Sequence, residues 1–560
     1  MEVLDSRRLT GPNLIWDLPS AVLDVRCGEH SPVEVVGAWR TQLERMLEAL
    51  QWPDPKLSHK LVKEGVCLAL AAPIDALYAA TDLNDWAACA AAGVLIGQEE
   101  PALQPDCDRL KATIDEERNA PLLALEAAAA AHGLPFLWDD DEVSVGLGKM
   151  SRTWPARELP LITDLSWTSM GPIPVGLVSG TNGKTTSVRL GAAMARAAGH
   201  CVGLSSTDWI AVNDEILDRG DYSGPGGART VLRDRRVSLA VLETARGGLR
   251  RRGLAVRRAD AILITNIQED HLGEFAIADL QELADIKWLL TRALGSGGKA
   301  ILNAEDPMLI ERAADADFEI VWYSPDPDNE LIEKQRAAGG AYCTLNGDSL
   351  VYGRGHDVEV LSTVREIPIT LGGAARHNVA NALGAAALAL NMGIPPHSVR
   401  AGLEQTRPDD NPGRCNIFSI DGAHVLVDFA HNPHGMGALF ELAQRYPARR
   451  RLMVLGQAGD RSDSAIRDLA HMAWNIGLER VVLKEMAHYA RGRAPGEVPA
   501  MMHEELLLAG ATESCIEHRE EEMDAVKAAL EWAEPGDLVI LLIHEDLDAA
   551  LAYLRERAGV

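Results

Sequence analysis

The run Gly180-Thr181-Asn182-Gly183-Lys184-Thr185-Thr186 lies between a short apolar stretch, residues 175–178, and residues with helical spacing. That is a strand, a glycine-rich turn and a helix start. Glycines let backbone N–H groups wrap phosphate oxygens, and the helix N-terminus adds a favourable dipole. Lys184 neutralises charge, and a threonine hydroxyl can bind Mg²⁺. The bland alternative is an ordinary Gly-rich turn; Gly-Lys-Thr-Thr in this context argues against it. The spacing is G-x-x-G-K-T, shorter than the usual Walker A pattern.

Outward from this loop, residues 238–242, 261–265, 299–302 and 320–322 are further buried strands. Strands alternating with helices imply a parallel, doubly wound sheet, whose ligands sit at the C-terminal strand ends. The polar clusters fall at those ends. Residues 408–414, rich in Pro, Asp and Gly, are a hinge candidate. Beyond it, residues 424–428, 451–455, 480–483 and 538–542 are strand candidates of a smaller α/β domain. The first 165 residues read as mixed α/β. Residues 33–50 and 56–70 show helical spacing, residues 122–131 are a helix with Pro121 in its first turn, and residues 142–147 alternate like a strand. The Ala-rich stretches 87–92, 127–131 and 385–389 read as tightly packed helices. The expected domains are therefore 1–165, 166–407 and 408–560.

The chain has 560 residues, 47% hydrophobic and 24% charged, as in ordinary globular proteins. Its net charge of −28 repels phosphodiester backbones and anionic lipid heads, so nucleic-acid and membrane partners are not expected. A local basic pocket for one small anion is compatible with it. The 8 cysteines are scattered with no C-x-x-C pair, which argues against a zinc site or disulfide framework and fits a reducing cytosol. The N-terminus lacks the apolar core of a signal peptide, and no apolar run is long enough to span a membrane.

Other strand ends carry chemistry. Leu242-Glu243-Thr244-Ala245-Arg246-Gly247-Gly248 places a carboxylate beside the phosphate loop, where it can hold Mg²⁺ through oxygen. Thr265-Asn266-Ile267-Gln268-Glu269-Asp270-His271-Leu272-Gly273 follows the next strand. Lys287 lies on an expected helix sixteen residues past His271. Asn303-Ala304-Glu305-Asp306-Pro307, Arg376-His377-Asn378-Val379-Ala380-Asn381, Pro412-Gly413-Arg414 and Asp428-Phe429-Ala430-His431-Asn432-Pro433 complete the set.

Together these motifs resemble the Mur ligase superfamily, which includes muramyl-peptide ligases, folylpolyglutamate synthase and cyanophycin synthetase. The short phosphate loop, T-N-x-x-x-D-H-L, N-A-D-D-P, G-x-H-N-x-x-N, the G-R hinge and D-Y-A-H-N-P are its signals. The resemblance implies a central P-loop domain with a mostly parallel sheet, a C-terminal α/β domain and an N-terminal α/β domain. It implies an ATP- and Mg²⁺-dependent carbon–nitrogen ligase acting through an acyl-phosphate. Lys184, Glu243, His271 and Lys287 take catalytic roles, and Thr185, Glu243 and His271 hold metal. Many Mur ligases carbamylate the lysine at the position of Lys287, which requires a desolvated amine. Gly180, Thr181, Asn182, Gly183, Lys184, Thr185 and Thr186 bind nucleotide, as do Asn303, His377, Asn378, Asn381, Arg414, Asp428 and His431. Domain closure would assemble the site and exclude water.

The run L-E-T-A-R-G-G-L-R-R-R-G (242–253), D-H-L-G (270–273) and Asp221-Tyr222-Ser223-Gly224-Pro225 with Arg229 are similar to the Mur-like module of cyanophycin synthetase. So are Arg491-Gly492-Arg493 with Glu497, and Arg8-Leu9-Thr10-Gly11-Pro12-Asn13. The resemblance is close over residues 166–560 and short before them. It makes Arg246, Arg250, Arg229, Asp221, Arg491 and Glu497 substrate-binding candidates, with the Arg246–Arg252 stretch guiding an anionic carboxylate. The Arg run reads equally as a solvated basic face. No segment has room for an ATP-grasp module before the phosphate loop, so one active site is expected. The expected partner is a small-molecule or peptide substrate, and a homo-oligomer is kept open. The rival readings are a poly-γ-glutamate or folylpolyglutamate type of ligase, a hydrolytic P-loop ATPase or kinase, and a non-catalytic ATP-binding partner of another ligase.

Overall fold

The computed structural model describes residues 1–63, 65–270 and 277–560. The chain divides into two compact units. The first comprises Met1–Thr344, Val351–Glu359 and Leu383–Gly402; the second comprises Leu345–Leu350, Val360–Ala382 and Leu403–Val560.

The first unit opens with an antiparallel sheet of β1 (Glu2–Leu9), β2 (Ser20–Arg26), β3 (Leu57–Val62) and β4 (Gly65–Ala71), in the order β1-β2-β4-β3. The helices Pro32–Leu50 and Leu77–Leu95 cover it. Ser31 starts the first helix with a capping box, Glu34 returning the bond, and the apolar stripe Val35, Trp39, Leu43 and Met46 faces the sheet. Buried Trp39 donates Nε1–H to Asn84 Oδ1 at 2.8 Å, and the Asn84 amide donates to the Ala21 and Leu68 carbonyls. The helix expected over residues 56–70 is instead β3 and β4. β4 pairs with a strand on each side and is buried on both faces, so its apolar run does not alternate. A Cβ at Gly65 would sit 1.9 Å from the Val25 carbonyl oxygen, so only glycine allows that pairing. A small sheet of β5 (Phe136–Trp138), β6 (Glu142–Val145) and β7 (Arg152–Pro155) follows.

The larger sheet of this unit contains β8 (Val175–Ser179), β9 (Val202–Ser205), β10 (Trp209–Val212), β11 (Glu215–Arg219), β12 (Leu239–Glu243), β13 (Ala259–Ile264), β14 (Leu294–Asn303), β15 (Glu319–Ser324) and β16 (Ala341–Asn346). The order is β11-β10-β9-β12-β8-β13-β14-β15-β16. β8 runs parallel to both β12 and β13, with Val178 opposite Glu243 and Ser179 opposite Ile264. The turns after these three strands therefore open at one edge. Strands β17 (Ser349–Arg354) and β18 (Asp357–Thr363) follow in sequence.

The second unit carries a sheet of β19 (Asn416–Ile420), β20 (Ala423–Asp428), β21 (Arg451–Leu455), β22 (Arg480–Lys484), β23 (Ile516–Arg519) and β24 (Leu538–Leu542), in the order β19-β20-β24-β21-β22-β23. Only β19 is antiparallel to its neighbour. Apolar clusters pack on both faces, which is why its strands read as continuous apolar runs. Among the described residues, no helix is long and apolar enough to cross a membrane.

Candidate active site

The phosphate loop leaves β8 at Ser179. Gly180 has φ +146°, and a Cβ there would lie 1.9 Å from Thr265 Oγ1. Gly183, at φ +85°, starts the helix Lys184–Ala197. Both positions need glycine. The loop is strapped to the end of β13. Thr181 N–H donates to the Asn266 carbonyl at 2.9 Å, and Asn182 N–H to Asn266 Oδ1 at 2.9 Å. Thr265 Oγ1–H donates to the Asn182 carbonyl at 2.6 Å.

Two lysines donate to loop carbonyls: Lys184 Nζ to Thr181 at 2.9 Å and Lys287 Nζ to Gly180 at 2.6 Å. Burial, with the Lys184 cation next, pushes the Lys287 ammonium well below its ordinary range. The Thr185 hydroxyl donates to Glu243 Oε2 at 2.8 Å; Thr207 N–H reaches the same oxygen at 3.3 Å. Glu243 is 1% exposed. The Thr207 hydroxyl lies 3.1 Å from that of Thr185, and the all-oxygen cluster of these two hydroxyls and the Glu243 carboxylate beside a phosphate loop suits a hard cation such as Mg²⁺. His271 lies outside the described residues.

Asp306 holds the segment after β13. Its Oδ2 accepts Ile267 N–H at 2.7 Å and its Oδ1 caps a helix through Leu309 N–H at 3.0 Å. Asn303 spends its amide on the Thr265 carbonyl at 3.0 Å. Sequence reasoning passed over Thr207 and Asn266 as site builders. Thr207 closes a polar run after β9, the neighbour of β12, and that strand-end position was the available signal.

The arginine candidates separate. Arg246 opens the helix Arg246–Arg252, and Arg251 and Arg252 are exposed. Arg250 is buried, and its guanidinium meets Asp24 Oδ2 at 2.8 Å, turned into the N-terminal sheet. Arg229 donates to Thr10 Oγ1 at 2.6 Å, and burial lowers its pKa to about 10. Asp221 Oδ1 accepts from Ser223 N–H and Oγ–H, forming a local turn.

Within the second unit, Asp428 is a hub. Its Oδ2 accepts Cys415 N–H at 2.9 Å, with Cys415 Sγ 3.3 Å away; Oδ1 accepts Ala430 N–H at 2.8 Å. Cys415 Sγ also lies 3.3 Å from His377 Nε2. Burial pushes the Cys415 thiol well up, away from the thiolate, and pushes His377 down, toward the neutral imidazole. Asn378 donates to the Ile369 carbonyl, and Asn381 to Asn378 Oδ1 at 3.1 Å. The Arg414 guanidinium lies 4.9 Å from the Phe429 ring centroid. His431 Nδ1 is 3.1 Å from the Phe429 carbonyl, and Asn432 caps the helix Pro433–Arg445. Arg491 pairs with Asp460, and Glu497 accepts from Arg493 at 2.7 Å and from Ala494 N–H at 3.0 Å.

A mostly parallel sheet with a phosphate loop on its central strand, and a carboxylate at the next strand end, defines a P-loop α/β protein. The Mur ligase middle domain model matches residues 178–389, and the Mur ligase, glutamate ligase domain model matches residues 413–542. The chain belongs to the Mur ligase family. It is 34% identical over 438 residues to the cyanophycin synthetase of Synechocystis sp., covering 75% of this chain and 48% of that protein. The chain thus spans about half the length of the cyanophycin synthetases it matches. It is 26% identical over 384 residues to the UDP-N-acetylmuramoyl-L-alanyl-D-glutamate–2,6-diaminopimelate ligase of Lactiplantibacillus plantarum, covering 66% of this chain and 73% of that one. Among solved structures, E. coli FolC in complex with DHPP and ADP shares the fold, with a TM-score of 0.50, 18% identity, and coverage of 69% of this chain and 89% of that one.

Proposed function

We propose that the chain is an ATP-dependent ligase that joins an amino acid or amine to a carboxylate of an amino acid, peptide or aspartate-based acceptor. The observation that carries this reading is the buried Glu243 carboxylate bonded to the Thr185 hydroxyl at the mouth of the phosphate loop. A P-loop fold alone would fit a kinase. The family relationship, with cyanophycin synthetases and muramyl ligases among the relatives, favours the ligase.

In this reading Thr185 and Glu243 would hold Mg²⁺, with His271 as a further candidate ligand. When bound, the ion offsets phosphate charge. Lys184 stabilises the transferring γ-phosphoryl group. A substrate carboxylate oxygen attacks the γ-phosphorus, the bond to the β–γ bridging oxygen breaks, and ADP leaves. The amine nitrogen then attacks the acyl carbon and inorganic phosphate departs, with the amine proton lost to solvent or base. Arg246 guides the carboxylate donor. Asn378, Asn381, Arg414 and Asp428 contribute to nucleotide binding. A reducing compartment, the cytosol, fits the eight free cysteines.

Phosphate release from ATP–Mg²⁺ across a panel of amino acids and short peptides tests this reading. Release is expected only when both substrates are present, and product mass rises by the amine minus water. Amine-independent hydrolysis without a mass change sinks the ligase. Glutamate added to a γ-carboxylate would instead select the folylpolyglutamate type.

Lys287 is proposed to carry a carbamate. Its amine is desolvated, Lys184 lies beside it, and a carbamate would retain an N–H for the Gly180 carbonyl. Trapping the carbamate by alkylation and mapping the peptide should find the modification on Lys287. An unmodified Lys287 in active enzyme at ambient CO₂ excludes it.

A further inference from the structure

Lys484, Glu522 and His544 are charged or titratable, buried, and outside every motif discussed above. Lys484 ends β22, and its Nζ is paired with Glu522 Oε1 and lies 3.3 Å from His544 Nδ1. Glu522 opens the helix Glu522–Trp532. Its two oxygens also accept the backbone N–H groups of His544 (2.9 Å), Glu545 (3.0 Å) and Asp546 (2.6 Å). The turn after β24 is thus wrapped around one carboxylate. His544 Nε2 lies 3.2 Å from the Ala430 carbonyl, and its ring meets Phe429 edge-on at 5.3 Å.

The chemistry of these partners leaves one arrangement for the imidazole. Burial pushes the Lys484 amine down to about 7, and the paired Glu522 carboxylate favours its ammonium form, which only donates, so Nδ1 accepts. A carbonyl only accepts, so Nε2 carries the proton. Burial, then the Lys484 cation, holds His544 well below its usual range, in keeping with a neutral ring. Ala430 lies between Asp428 and His431, and its own N–H is already held by Asp428. A donor on its carbonyl therefore clamps the loop from the other side.

We propose that Lys484, Glu522 and His544 form a positioning relay, in which Lys484 sets the His544 tautomer and His544 Nε2–H holds the loop carrying Asp428 and His431. The proposal rests on the ligase reading for its effect on turnover, but not for the clamp itself. A buried ion pair costs desolvation, and an apolar replacement of similar volume is often as stable. The relay gives that pair a use, because a loop misplaced by about 1 Å can cost on the order of 100-fold in rate.

Two measurements on the full chain separate the possibilities. Hydrogen exchange at residues 428–432 reads the clamp without any activity assay, and steady-state kinetics with ATP reads its consequence. His544→Leu is expected to speed exchange there and to lower kcat/KM by about 10–100-fold, as loss of an orienting partner does. His544→Gln, which keeps an N–H donor, should restore most of both. The double substitution Lys484→Met with Glu522→Gln removes the buried charges together; it should behave like His544→Leu in exchange and kinetics, at a lower stability, because a glutamine's single oxygen cannot accept all three N–H groups of the turn. Unchanged exchange at 428–432 in His544→Leu overturns the proposal, as does His544→Gln no better than His544→Leu. Losses that only track the folded fraction reduce the relay to a structural ion pair and also overturn it. A wild type without ligase activity defeats the ligase reading and leaves the exchange result to decide the clamp.

Discussion

Lys184→Ala should abolish measurable product, a fall of about three orders of magnitude or more in kcat/KM, equivalent to roughly 4 kcal/mol. The same change should barely alter stability. Lys184 gives up one part-buried hydrogen bond, to the Thr181 carbonyl at 2.9 Å, and such a bond is worth about 1 kcal/mol. The loop is otherwise held by Thr265, Asn266 and Lys287, none of which is touched. The kinetic effect therefore exceeds the structural one, and the two can be read separately. Circular dichroism and denaturant midpoints check folding, and product mass checks turnover. Product at near-wild-type rates from folded Lys184→Ala would mean that the phosphate loop is misassigned.

Asp24→Ala should cost about 3–5 kcal/mol of stability, because it breaks a buried ion pair and leaves the cations behind. Asp24 is 2% exposed and accepts from Arg7 at 2.5 Å and 3.2 Å, from Arg250 at 2.8 Å and from the Cys67 thiol at 2.7 Å. Burial alone would raise its pKa; the Arg7 and Arg250 guanidiniums outweigh burial and hold it below the usual carboxylate range. The sign of the pH effect follows. A depressed carboxylate contributes stability that is full above its unfolded value and is lost as pH falls through its folded value. Wild type and Asp24→Ala should therefore differ most near neutral pH and converge in acid. Replacing the cluster as a whole, with Arg7→Met, Asp24→Leu and Arg250→Met, should return stability close to wild type. A single Asp24→Ala midpoint within about 0.5 kcal/mol of wild type, the range of an ordinary surface change, would refute the account.

The fate of Arg250 shows how far a local pattern reaches. Read along the chain, it belongs to a basic run beside Arg246 and points toward an anionic substrate. In space it neutralises Asp24, far away in sequence, on a strand that the periodicity of residues 1–60 left unassigned. Residues 56–70 depart from their helical spacing for a related reason. Leu57 and Leu61 are spaced as in a helix, but β4 is a central strand buried on both faces, and a continuous apolar run carries no period of its own.

By itself the sequence determined the phosphate loop, the parallel character of the sheet around it, and the strand ends that bear Glu243, Thr265 and Asp428. Each of these depends on neighbours within a few residues: glycines where φ must be positive, apolar runs that must be buried, a lysine at a helix start. Tertiary structure alone decided that Thr207 and Glu243 would share the Thr185 hydroxyl, that Lys287 would brace the Gly180 carbonyl, and that Arg250 would serve the N-terminal sheet. Those partnerships follow from strand order, with β8 set between β12 and β13. Strand order is chosen by long-range pairing and burial, which no local periodicity encodes.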